Sequence, residues 1–230
     1  MDKLAILPYH IMRTEPTLVV FCKKPALHQG KQRLAKQTGA QFAYEVAKQL
    51  LACALEDAYI WRGPLVISPA HERDNDWSSE LIDKDHLCVP QPEGNLGERI
   101  MAVDSELRSR GHHDIIFIGT DAPVLNADFY TQAQIGLIKY DIILGPARDG
   151  GVTLMGASRP WPDLSKLPWS SDLLGESLAK ACRVAEMSIT FLSQTYDIDK
   201  KEDLVRLKED LVDDKRPARV SLRNWLVLNL

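Results

Sequence analysis

The sequence predicts an α/β fold built on a mostly parallel, mixed central sheet with helices on both faces. Short apolar runs rich in β-branched residues recur along the chain, and amphipathic stretches with 3.6-residue spacing separate them. The runs lack apolar–polar alternation, as strands buried on both faces do. The length of 230 residues suits one such domain, so residues 1–230 read as a single unit, with 211–230 as a C-terminal tail.

The elements follow in order. Leu18, Val19, Val20 and Phe21 mark a first buried strand at 17–23. A loop with Pro25 and Gly30 comes next, then a helix opened by a capping box of Thr38 and Gln41 and striped by Phe42, Val46, Leu50, Cys53 and Ala54. Strands are expected at 64–68 and 86–89. Leu96, Ile100, Val103 and Leu107 set a helix closed by Gly111. A buried strand at 114–119 precedes a helix at 129–139 and two strands at 141–144 and 151–155. A helix at 177–186, a strand at 189–192 and a helix at 200–210 complete the pattern. The tail carries Leu222, Trp225, Leu226, Val227 and Leu228, which fit a last strand or helix packed on the domain, or a subunit contact.

Composition narrows the function classes. The net charge of −4, from 28 basic and 32 acidic side chains, gives no field suited to nucleic acid or an anionic membrane. An anionic small molecule therefore needs a local basic pocket. Cys22, Cys53, Cys88 and Cys182 form no ligand spacing and read as small hydrophobes in a reducing compartment. Residues 1–13 have no signal-peptide pattern and no run reaches a membrane span, which points to the cytoplasm. No G-x-S-x-G elbow supports a serine hydrolase.

In parallel sheets ligands sit beyond the carboxyl ends of the strands, so the loops leaving those ends carry the interest. The first holds Lys23, Lys24, Lys31 and Arg33 around Gly30, and these four cations are able to neutralise phosphate oxygens. The second holds Asp121 within Gly119–Pro123, placed as a metal ligand would be. The third, Asp149-Gly150-Gly151, has paired glycines that let a backbone approach a ligand. Last come Asp197 and Asp199, on one side of an extended segment, which repel unless a cation lies between them. Each also has a plain structural reading: a solvated loop, an Asx turn, a hairpin turn, a helix cap. Their joint order is what suggests a metal-dependent transferase acting on a nucleotide phosphate.

These residues resemble the bacterial DUF2064, or glycosyltransferase A-like, family, a relative of 2-phospholactate guanylyltransferase within the nucleotide-diphospho-sugar transferase superfamily. Phe21, Lys23, Pro25, Lys31, Arg33, Leu34 and Ala35 follow its opening pattern, with His28 in place of a glycine and Gln32 in place of a threonine. Gly94 to Arg99 resembles G-D-L-G-E-R, with Asn95 for the aspartate. Gly119 to Pro123, Leu144 to Gly156, Trp169-Ser170 and Asp197-Ile198-Asp199 with Asp203-Leu204 match further segments.

The resemblance implies a three-layer GT-A, Rossmann-like fold. It implies that Asp121 and Asp199 hold Mg2+ or Mn2+, and that Lys31 and Arg33 act on the phosphates. Lys23, Asn95, Gly150 and Gly151 join them as candidate nucleotide contacts, and Asp149 is the candidate base. The expected reaction is glycosyl transfer from a sugar nucleotide or nucleotidyl transfer from a nucleoside triphosphate to a small acceptor. The alternative is a non-catalytic nucleotide-binding member, motivated by His28, Gln32 and Asn95. A homo-oligomer is compatible with the tail.

Overall fold

A computed structural model describes residues 15–230, so the reading of 1–13 as lacking a leader lies outside the described residues. Strand β1 (Thr17–Cys22) is followed by α1 (Gln32–Thr38) and α2 (Ala40–Ile60). Next come β2 (Leu65–Pro69), the short α3 (Asn75–Ser79), β3 (Leu87–Cys88), α4 (Leu96–Ser109), β4 (Ile115–Ile118) and α5 (Ala127–Lys139). Then β5 (Ile142–Pro146), β6 (Val152–Ala157), α6 (Leu174–Val184), β7 (Ile189–Phe191), α7 (Lys201–Asp210) and α8 (Pro217–Asn229) complete the chain.

Periodicity did not foresee α1 and α3, which are too short to show a stripe. The expected capping box at Thr38 does not form. The Thr38 hydroxyl instead donates to the Leu34 carbonyl inside α1, and Gly39, at φ 91°, breaks the chain between the two helices. Gly111 does close α4 as expected, at φ 90° with its N–H on the Arg108 carbonyl.

The seven strands form one sheet in the order β3-β2-β1-β4-β6-β5-β7. Only β6 runs antiparallel to its neighbours β4 and β5. Alternate residues of β1 enter opposite cores, as the period of a strand requires. Leu18 and Val20 pack with Leu51, Ala54, Ala133 and Leu137 of α2 and α5. Val19 packs with Ile100, Val103, Leu107, Leu178 and Cys182 of α4 and α6. The result is three layers, helix–sheet–helix, with apolar burial on both faces as the main stabilising term. Cys22, Cys53 and Cys182 are buried in these layers, and burial pushes their thiols up to about 12, 12 and 11. They serve as apolar filling.

The tail is helical and packs. Leu222 and Leu226 of α8 are buried against α2 and α7, and the Trp225 ring lies 4.9 Å from that of Phe42. The same helix buries Arg219 completely. Its guanidinium donates to the Pro123 carbonyl (3.2 Å), to Glu56 (2.9 Å), to Asp57 (2.6 Å) and to the Cys53 carbonyl. Arg216 reaches the other Asp57 oxygen (2.9 Å) and the Leu125 carbonyl (2.8 Å), while the Tyr130 hydroxyl donates to Asp57 (2.9 Å). Burial pushes the Asp57 carboxyl up, and the two guanidiniums pull it back. This cluster therefore ties α2 and α8 to residues 123–125, which follow Asp121.

Removing one partner of such a pair strands a buried charge. Arg219→Met is expected to cost about 3–5 kcal/mol, read as a fall in the urea midpoint at constant slope. Asp57→Asn in the same background is expected to return part of that loss.

Candidate functional site

Strand order reverses direction at β1, whose neighbours are β2 on one side and β4 on the other. A crevice opens beyond the carboxyl ends of strands at such a switch point. The loop after β1 carries Lys23 to Lys31, and the loop after β4 carries Gly119 to Pro123. Because β6 runs antiparallel, the hairpin turn at 147–151 opens on the same edge. The segment after β7 comes back there too, where the Ile198 N–H donates to the Asp121 carbonyl at 2.9 Å. The two acidic segments are thus joined through their backbones.

Lys31 is the meeting point. Its ammonium lies 3.0 Å from Asp121 Oδ2 and 3.7 Å from Asp199 Oδ1, and it donates to the Ile198 carbonyl. Arg33 Nη1 takes the other oxygen of Asp199 at 3.0 Å. Asp121 and Asp199 therefore converge on one cation, supplied by the chain itself. The Lys31 side chain is only 8% exposed, so its contacts are little screened by water.

The local backbone is bent to deliver that lysine. His28, Gly30 and Lys31 all have positive φ, at 63°, 66° and 44°. Left-handed backbone costs a non-glycine residue about 1 kcal/mol, so this loop holds strain beside the site. The Gln32 carboxamide offsets it by donating to the His28 and Gly30 carbonyls, each at 3.0 Å.

Other expectations resolve differently. Asp199 is not the helix cap. Asp203 reaches back instead to the N–H groups of Asp199 (3.0 Å) and Lys200 (2.7 Å), which leaves the Asp199 carboxylate free for cations. Asn95 caps α4: its carbonyl oxygen accepts from the Glu98 N–H at 3.1 Å and its amide donates to the Ser165 carbonyl. Its side chain is thus engaged by the fold and not turned to the crevice cavities. Gly150, at φ 88°, admits the chain's own backbone rather than a ligand's, since a Cβ there would lie 1.9 Å from the Asp172 carbonyl. Gly151 does face the crevice, and its N–H is held by Asp149 Oδ1 at 3.0 Å. Lys23 lies on the crevice wall beside Lys31.

Two adjoining cavities share Lys31, Asp121 and Asp199, with volumes of about 520 and 420 Å3. Both lie within the range of small-molecule sites. Sequence reasoning missed Arg99, which lines the smaller one and donates to the Gly94 carbonyl at 2.9 Å. Its place at the end of the Gly94 to Arg99 pattern, in the first turn of α4, was the available signal. Sequence reasoning also paired Asp197 with Asp199 around a cation without counting it among the site residues. That carboxyl faces the larger cavity, and burial, with Asp149 and Asp199 nearby, pushes it up to about 6.

A Desulfovibrio desulfuricans protein provisionally named as a nucleotide-diphospho-sugar transferase superposes with a TM-score of 0.81 at 21% identity, over 94% of this chain and 97% of that one. A 4-diphosphocytidyl-2C-methyl-D-erythritol synthase from Anaerococcus prevotii has a TM-score of 0.51 at 8% identity, over 92% and 96%. A Mycobacterium homologue of the Mycobacterium tuberculosis protein Rv0371c has 0.52 at 15%, over 91% and 98%. At these identities the likeness establishes the fold. No curated protein matches the sequence. The family model of DUF2064, described as an uncharacterized protein conserved in bacteria, matches residues 47–171, and the chain belongs to that family.

Asp197 gives the site a pH signature. Its folded-state pKa lies above that of a free carboxyl, so its stabilising contribution is full below pH ~4 and is lost as pH rises through about 6. Asp197→Asn is expected to melt above the parent protein at pH 8, with the difference closing towards pH 4 in thermal denaturation.

Proposed function

We propose that the chain is a metal-dependent transferase that takes a nucleotide donor and passes a glycosyl or nucleotidyl group to a small acceptor. One observation carries this: Asp121 and Asp199, from separate segments, converge on a single cation at the switch point of the sheet. Beside them stand Lys23, Lys24, Lys31 and Arg99, a cationic wall suited to phosphate oxygens. The fold supports the same reading by analogy.

The residues present fit a divalent ion. Two carboxylate oxygens already converge on one positive charge, and among the described residues no group of three or more such ligands forms a closed metal cage. Mg2+ commonly takes one or two carboxylates and fills its other positions with water and phosphate. Asp121 and Asp199 would hold the ion, which would supply charge neutralisation on the donor's phosphates. The chain's own residues do the rest. Lys31 and Lys23 stabilise charge that develops on the leaving phosphate, and Arg33 holds Asp199 from the other side. Asp149 and Asp197, which line the cavity on the other side of the Lys31 contact, are the candidate bases for a hydroxyl acceptor.

Lys31 filling the place between the carboxylates also favours a second reading, a nucleotide-binding protein without turnover. Calorimetry with nucleoside triphosphates and sugar nucleotides, with and without Mn2+, separates the two. Metal is expected to tighten donor binding, and Asp121→Asn and Asp199→Asn are each expected to abolish that metal-dependent gain. Lys23→Ala is expected to weaken binding about tenfold, the worth of one charge-assisted contact. Release of pyrophosphate or of a nucleoside diphosphate identifies which group moves. Donor binding that ignores both the metal and the two Asn variants would remove the metal assignment, and binding without product would favour the second reading.

A further inference from the structure

The Lys31 contact with Asp121 and Asp199 divides the crevice into two chambers of opposite character. The smaller is lined by Lys23, Lys24, Lys31 and Arg99 against Asp121 and Asp199, so cations outnumber carboxylates. The larger is lined by Asp121, Asp149, Asp197 and Asp199 against Lys31 and Arg33. Both of those cations are already engaged by the same aspartates, at 3.0 Å in each case. No free positive charge faces the larger chamber among the described lining residues. Its floor is apolar: Phe21, Ile100, Phe117, Met155, Trp169 and Leu174 all contribute.

We propose that the larger chamber binds the acceptor, and that this acceptor is a neutral or cationic molecule with an apolar body and a hydroxyl or amine, not a phosphate or carboxylate. The word acceptor rests on the transferase reading; the chemistry of the bound molecule rests on the chamber alone. An anion entering it meets several carboxylates across an apolar floor, and like charges at short range repel. A divalent ion between Asp121 and Asp199 would bring the chamber to neutrality, without the positive surplus that holds a phosphorylated acceptor. An aromatic or aliphatic body instead covers the floor, and the rim carboxylates accept hydrogen bonds from its polar end. The division also settles orientation: the anionic donor lies over the cationic wall, and the two molecules meet at Lys31.

The test uses three matched probes on the full chain at pH 7.5: 2-phenylethanol, 2-phenylethylamine and 2-phenylethyl phosphate. Binding is read by NMR at the Met155 methyl and Trp169 indole signals, with ATP and Mg2+ titrated in parallel and read at the Arg99 side chain. The alcohol and the amine are expected to shift the Met155 and Trp169 signals, with the phosphate at least tenfold weaker there. Asp149→Asn with Asp197→Asn, which keeps shape and hydrogen bonding while removing charge, is expected to narrow that gap at least fivefold. Equal binding of phosphate and alcohol overturns the proposal, as does a gap untouched by the double variant. Nucleotide binding with all probes silent overturns this inference and leaves the transferase reading. Probe binding with no nucleotide bound at Arg99 does the reverse. Silence of both overturns both.

Discussion

One ammonium organises this protein's crevice. Lys31 sits between Asp121 and Asp199, which would otherwise face one another as bare carboxylates. The three residues leave different parts of the sheet, so the contact sets how the loops after β1 and β4 stand relative to the segment after β7. The backbone link from Ile198 to Asp121 fixes the same geometry independently. Strain at Lys31 and His28 is the cost of bringing the lysine to that point.

The sheet explains why these loops meet at all. Parallel strands place all their carboxyl ends on one edge, and the reversal of strand order at β1 leaves a gap there. The antiparallel β6 adds the turn bearing Asp149 to that edge. Behind the loop after β4, α8 inserts Arg219 and Arg216 onto the Pro123 and Leu125 carbonyls. A helix from the end of the chain thereby braces the loop that carries Asp121. Its role in the fold is internal support, achieved by burying a charge with its partners.

Several motif residues do structural work beside the site. Asn95 and Asp203 satisfy helix N-termini, and Gly150 admits the Asp172 carbonyl. His28 occupies a left-handed position, a conformation that glycine adopts without steric cost. Motif spacing at these positions thus reports backbone demands. Asp121, Asp199, Lys31 and Arg33 are different, since their side chains meet one another and not the backbone needs of any helix.

Much of the fold was legible in the sequence, because strand and helix periods are local and both core faces write themselves into consecutive residues such as Leu18, Val19 and Val20. The short α1 and α3 were not, as neither is long enough to repeat a pattern. The sequence by itself determined the α/β class, the cationic and acidic loops and their order. Only the tertiary structure decided that Lys31 lies between the two carboxylates, that Arg99 and Asp197 join the crevice and Asn95 does not, and that the crevice has a cationic half and an apolar, carboxylate-rimmed half. Those facts depend on distances between residues far apart in the chain, and such distances exist only once the strands have been ordered in the sheet.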